Sequence, residues 1–313
     1  MKTIDWHCDT ILRLTELGEA ASLRQNNLGV DIQKLQSAGS LAQFFALYID
    51  LGENRDPLEW ALSMLDRFYQ ELDSNKDSIQ LARNYAELNA NEQSGKISAF
   101  LTIEEGGALK GQISNLRNFY RLGVRLITLT WNYPNEIGFP NCRKECYFKG
   151  LTSFGQEVVF EMNRLGMIID VSHLSDQGFY DVAKLSTKPF VASHSNARAV
   201  TNHRRNLTDD MIKTLAEKGG ITGLNFANSF LGASPVSRIE DMVSHVKHIR
   251  NVGGVEVIAL GTDFDGISPE VEISNIGEID KLFQALKANG FSENELDMFC
   301  RQNAERVIKD CLL

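Results

Sequence analysis

Short apolar runs with strand character alternate along the chain with segments whose apolar residues recur at helical spacing. The strand-like runs cover roughly residues 3–6, 42–49, 97–103, 124–130, 167–172, 189–193, 221–226 and 255–261. Between them, helical spacing covers 57 to about 75, 85–93, 113–122, 153–165, 177–185, 209–217 and 240–251, and two further helical patterns, 276–288 and 293–309, close the chain. Eight strand-like runs joined by helices, with no linker rich in Pro, Gly or Ser, predict an α/β protein, a (β/α)8 TIM barrel. The expected organisation is a single catalytic barrel domain over residues 1–313, with an aperiodic excursion at 132–150. A doubly wound open sheet competes with this, although no GxGxxG follows the first run.

The most informative stretch is residues 167–200, MIIDVSHLSDQGFYDVAKLSTKPFVASHSNARAV. It reads strand, helix, strand, and each strand runs into a histidine, His173 and His194. Successive strands joined by a helix lie parallel, so both histidines arrive at one face. Other strand-like runs deliver similar residues there. The first ends in Asp5-Trp6-His7-Cys8-Asp9, the third in Glu104-Glu105-Gly106-Gly107, and the eighth in Asp263-Phe264-Asp265-Gly266. His7 and Asp9, two apart in extended chain, leave the backbone on the same side. The paired glycines permit a tight turn that leaves a carboxylate at the rim.

Imidazoles and carboxylates gathered at one rim suit Zn²⁺, and also Mn²⁺, Fe²⁺ or Co²⁺. Two histidines for one ion, a His and an Asp for another and a carboxylate between them would form a binuclear centre. Such a centre lowers the pKa of a shared water and polarises a carbonyl, which suits hydrolysis of an amide or ester by a bridging hydroxide. Asp263 is a candidate acid/base group for moving the proton to the leaving amine. Past His194, Arg198, Arg204 and Arg205 offer guanidinium groups to a substrate carboxylate, or else form a solvated loop.

Composition narrows the partners. The chain has 313 residues and a formal net charge of −9, with 43% hydrophobic and 23% charged residues. That balance is globular and acidic, with no run of Lys and Arg to bind nucleic acid or an anionic membrane. With no apolar run near the ~20 residues of a bilayer span and no signal-like start, the expected location is cytoplasmic. Five scattered cysteines suit free thiols, and the spacing of Cys142 and Cys146 argues against a structural zinc site. The excursion at 132–150 could be a lid, a pocket wall or a plain surface loop.

DWHCDT at the start, IEEGG, the segment GLTSFGQEVVFEMNRLGMIIDVSHLSDQGFYDVAKLSTKPFVASHSNARAV, RRNLTDD, GGITGLNF and LGTDFDGI occur here in the order found in the membrane (renal) dipeptidase family, which this chain resembles over nearly its full length. The resemblance implies a binuclear zinc dipeptidase of the amidohydrolase type, acting on small dipeptides that include L-aminoacyl-D-amino acid pairs, and a homodimer. It implies His7 and Asp9 on one zinc, His173 and His194 on the other, and Glu105 bridging them. Arg205 would bind the substrate carboxylate and Asp263 would act as acid/base. The family's histidine after the fourth strand is replaced by Trp131, so its substrate contact passes to Asn132 or Tyr133, and Ala108 replaces a histidine after the double glycine. The alternatives are another amidohydrolase-type hydrolase (lactam, lactone or other amide) on the same centre, or a catalytically silent barrel acting as a binding protein.

Overall fold

The computed structural model describes residues 1–268 and 270–312. Eight parallel strands close into a barrel: β1 (Thr3–Cys8), β2 (Ser40–Tyr48), β3 (Ile97–Glu104), β4 (Val124–Thr128), β5 (Ile168–Asp170), β6 (Val191–Ala192), β7 (Ile221–Leu224) and β8 (Ile258–Leu260). Each pairs with its neighbours in chain order, and closure comes from the pairing of Asp5 with Leu260. This is the expected (β/α)8 barrel. A ninth strand, Ile79–Leu81, pairs with the first half of β3, through Ile79 opposite Ile97. β4 takes up pairing farther along β3, from Leu101 onward.

The barrel floor is apolar. Trp6, Phe44 and Phe100 stack with ring centroids 4.3 and 4.6 Å apart. They share one buried cluster with Leu126, Ile168, Val191, Ile221 and Ala259 from the remaining strands, and with Val307 and Ile308 of the last helix. A second, larger cluster lies between the strands and the surrounding helices and includes Leu101, Ile103, Ile127 and Ile169. Phe100 belongs to the first cluster and Leu101 to the second, as strand alternation requires. With both faces of each strand buried, the sequence shows continuous apolar runs rather than alternation.

Most helices stand where helical spacing puts them, and their starts are capped. Thr152, Ser175 and Thr208 each accept a hydrogen bond from a backbone N–H of the following turn. The last pattern is not one helix. It divides into Glu293–Asp297, a wider turn over Met298–Gln302 and Asn303–Cys311. Two short helices absent from the sequence reading, Thr10–Leu17 and Ile32–Ser37, follow β1.

The upper barrel depends on close backbone approach. A Cβ placed on Gly223 or on Gly261 would lie 1.9 Å from the Ser193 carbonyl oxygen, and would also meet the Cα of the opposite glycine at 2.9 Å. Glycine at both positions therefore lets the ends of β6, β7 and β8 converge next to His194. Gly223→Ala is expected to lower stability by about 1–3 kcal/mol or more, since backbone rather than a flexible side chain must move. Urea unfolding would measure this, and an unchanged midpoint would contradict the packing described.

Candidate metal centre

The C-terminal ends of the strands converge on one carboxylate. Glu104, the last residue of β3, lies with Oε2 3.2 Å from His7 Nε2. Its Oε1 lies 3.1 Å from His173 Nε2 and 3.3 Å from His194 Nε2. The two imidazole nitrogens are themselves 3.0 Å apart. On the other side, His7 Nε2 is 3.6 Å from Asp9 Oδ2 and 3.7 Å from Asp263 Oδ1. All these residues are buried, with Asp263 the most exposed at 9%.

The carboxylate expected among the histidines, Glu105, is not there. Alternation explains the correction: Phe100 is in the barrel floor, so Glu104 points the same way and Glu105 leaves on the other side. Glu105 instead caps the short turn Gly106–Leu109, accepting from Gly107 N at 2.6 Å. It also accepts from Trp131 N at 2.8 Å and from the Asn135 amide. Burial pushes its carboxyl up to about 7 against those three bonds. Its φ of 101° lies in the left-handed region, as do those of His173 (69°) and Asp263 (62°). Non-glycine residues held there cost about 1–3 kcal/mol each, and such strain gathers at functional sites.

Asp9 makes the opposite choice to Glu105. It stands at the N-cap of helix Thr10–Leu17 yet makes no side-chain cap bond, and its Oδ1 is buried without any hydrogen-bond partner. His7 is buried with neither ring nitrogen hydrogen-bonded. Groups buried this way cost free energy unless something else satisfies them. A cation between them is one partner that would satisfy these groups. His173 is pushed down to about 4, and His194 well below its usual value, by burial first and then by positive neighbours, so both present neutral nitrogen lone pairs. Although burial opposes it, the carboxylates of Glu104 and Asp9 hold His7 well above its usual value. Lone pairs and carboxylate oxygens aimed at each other fit divalent cations. His7, Glu104 and His194 form one compact donor set, and His7, Asp9 and Asp263 form a second.

Asp263 Oδ2 accepts from Asn225 Nδ2 at 2.8 Å, which leaves Oδ1 toward His7. Its carboxyl is pushed up to about 8, by burial first and then by the charges of Asp9 and Glu104, while His7 pulls it down. Arg205 is 3% exposed. It donates to Ser195 Oγ at 3.2 Å and to the His194 carbonyl at 3.3 Å, while its Nε is without a partner. No ion pair to a carboxylate is formed by Arg205 among the described residues. Its guanidinium carbon lies 5.3 Å from the ring centre of Phe230, which lines the cavity above the cluster.

That cavity has a volume of about 530 Å³, and Asp9, Glu104, His173, Asp263, Trp131 and Asn132 are among its walls. Asn132 also sets its Oδ1 3.2 Å from His173 Nδ1. Tyr133, expected at the substrate, is not part of the cavity wall. Its ring lies under the Arg143 guanidinium at 4.5 Å. Trp131 fills that place, packed edge-on against Tyr48 at 4.9 Å. The excursion at 132–150 is bound to the segment after β5 by Asn141 N to the His173 carbonyl (2.7 Å) and Ser175 N to the Phe139 carbonyl (2.8 Å). Cys142 and Cys146 are free thiols.

Known proteins resemble the chain in both sequence and fold. Mouse dipeptidase 3 is 32% identical over 317 residues, covering 98% of this chain, which spans 64% of that protein's length. A solved structure described as dipeptidase AC, a metallopeptidase of family M19, superposes with a TM-score of 0.93 at 28% identity, covering 100% of this chain and 99% of that one. A metallopeptidase from Rhodobacter sphaeroides, liganded with a phosphinate mimic of the dipeptide L-Ala-D-Ala, gives a TM-score of 0.92 at 27% identity, with 99% of each chain covered. Among the described residues no helix is long and apolar enough to cross a membrane. The model of the membrane dipeptidase family, peptidase family M19, matches residues 1–312, and the chain belongs to that family as a metallo-dipeptidase, a hydrolase of peptide bonds.

Proposed function

We propose that this protein hydrolyses small dipeptides bearing a free C-terminal carboxylate, L-aminoacyl-D-amino acid pairs among them, on a centre of two zinc ions. The observation that carries this reading is the division of contacts at Glu104. One of its oxygens faces His7, and the other faces His173 and His194. Asp9 stands with His7, and this reading divides the ligands into His7 with Asp9 and His173 with His194, with Glu104 facing both pairs. When bound, the two cations supply Lewis acidity, lowering the pKa of a water and polarising the scissile carbonyl.

The chain's own residues do the rest. Asp263, with one oxygen fixed by Asn225 and the other facing the cluster, accepts the proton of the attacking water and returns it to the leaving amine nitrogen. Arg205 carries a buried positive charge without a carboxylate partner among the described residues, which suits the C-terminal carboxylate of a substrate. Phe230, packed over it, belongs to the wall that the substrate meets. Glu105 holds the backbone of Trp131, and Trp131 with Tyr48 shapes the cavity wall. The cavity's size suits a small peptide. The mimic bound by the Rhodobacter sphaeroides protein supports an L,D preference.

Glu104→Ala is expected to lose bound zinc and activity together. Glu105→Ala should keep its zinc but lose about 1–3 kcal/mol of stability, because buried N–H groups lose their acceptor. Elemental analysis beside thermal unfolding distinguishes the two variants, and zinc lost from Glu105→Ala but kept by Glu104→Ala would contradict the assignment. Arg205→Ala should raise KM by roughly 10–100-fold, the worth of charge-assisted hydrogen bonds, with zinc content unchanged. On a panel of L,L and L,D dipeptides with and without a blocked C-terminus, turnover should require the free carboxylate and include L,D members. Equal turnover of blocked and free peptides would count against the clamp.

A further inference from the structure

Below the histidines lies a buried carboxylate that no step of hydrolysis uses. Asp170, at the end of β5, is fully buried and forms no ion pair among the described residues. Four groups donate to it. Ser172 N and Ser193 N each reach Oδ1 at 2.9 Å, while Thr128 Oγ1 and Ser193 Oγ each reach Oδ2 at 2.6 Å. The Ser193 hydroxyl also lies 2.7 Å from His194 Nδ1. Ser172 Oγ is farther from it, at 3.4 Å.

A serine hydroxyl has one proton, and this arrangement settles where it goes. A carboxylate oxygen can only accept, so the Ser193 proton points to Asp170. Ser193 Oγ then faces His194 Nδ1 with a lone pair, and the hydrogen bond between them requires the proton to be on Nδ1. The imidazole is left with its free lone pair on Nε2, the atom directed at Glu104 and His173. His173 is arranged the same way from another direction, by the Asn132 carbonyl oxygen 3.2 Å from its Nδ1.

We infer that Asp170 and Ser193 are positioning residues that order the protons of His194, fixing the tautomer and ring orientation that present Nε2 as a metal ligand. The inference rests on the reading that this cluster holds metal ions. It adds a chain running from Asp170 through Ser193 to the ligand, in which each hydrogen bond dictates the direction of the next. Partners behind a ligating histidine are typically worth about 10–100-fold in metal affinity. Three of the four donors to Asp170 do not involve the Ser193 hydroxyl, so removing that hydroxyl separates the relay from the packing of β4, β5 and β6.

The test combines nitrogen-15 NMR of the histidines in metal-free protein with zinc affinity measured by chelator competition. In the wild type, His194 should show the Nδ1–H tautomer, and a proton on Nε2 instead would overturn the relay whether or not any variant folds. Ser193→Ala should weaken zinc binding by about 10–100-fold and give a mixture of His194 tautomers, while Ser193→Thr, which keeps the hydroxyl, should restore both. Unchanged affinity in Ser193→Ala, or no restoration by Ser193→Thr, would overturn it. A wild type that binds no zinc yet shows the Nδ1–H tautomer would defeat the metal reading and leave the hydrogen-bond order intact, so the two failures are distinguishable.

Discussion

A buried carboxylate shared by three histidines is costly unless positive charge accompanies it, and that electrostatic demand organises the upper half of this barrel. Glu104 sits with His7 on one oxygen and His173 and His194 on the other, and all four side chains are buried. In low dielectric, the cost of leaving Asp9 Oδ1 and the His7 ring nitrogens without hydrogen-bond partners is far larger than at a surface. A protein tolerates such groups where binding energy from a ligand offsets the cost. The same reasoning explains why Asp9 leaves its helix uncapped while Glu105 caps a turn: one carboxylate is reserved for the site, and the other supports it.

The scaffold holds these groups from below and from the side. Aromatic stacking of Trp6, Phe44 and Phe100 fills the floor, and the C-terminal helix closes it. Above the floor, polar residues on the barrel strands bond to one another, as Thr128, Asp170 and Ser193 do, and the backbone crowding allowed by Gly223 and Gly261 brings β6, β7 and β8 together beneath the ligands. Left-handed backbone at His173 and Asp263 then turns two of the rim side chains. A hydrogen-bonded layer under strained loop residues is the arrangement that preorganisation of a cation site would require.

Much of this was legible in the sequence. The eight barrel strands and most of the helices follow from runs of apolar residues and their spacing, since long amphipathic helices and β-branched runs leave strong patterns. The strand Ile79–Leu81 left none, because three residues with Gln80 in the middle carry no period and pairing with half of β3 is a tertiary event. Helix Thr10–Leu17 is short and starts directly after β1, with Asp9, a residue that also suits a helix N-cap, read as part of the strand end. His7, Asp9, His173 and His194 lie where strand ends place them. Glu104 could have been found from Phe100 by counting in twos, but with both faces of β3 apolar the sequence does not say which face is inside, and two adjacent glutamates leave the choice open. Tyr133 stands outside the cavity wall, under Arg143, while the ring of Trp131 lines the cavity.

Anomalous scattering at the zinc edge from crystals of the zinc-loaded protein is the most direct test of this account. It predicts two peaks on either side of the Glu104 carboxylate, one beside His7 and Asp9 and one beside His173 and His194. A single peak, or density beside Glu105 with none at Glu104, would contradict it.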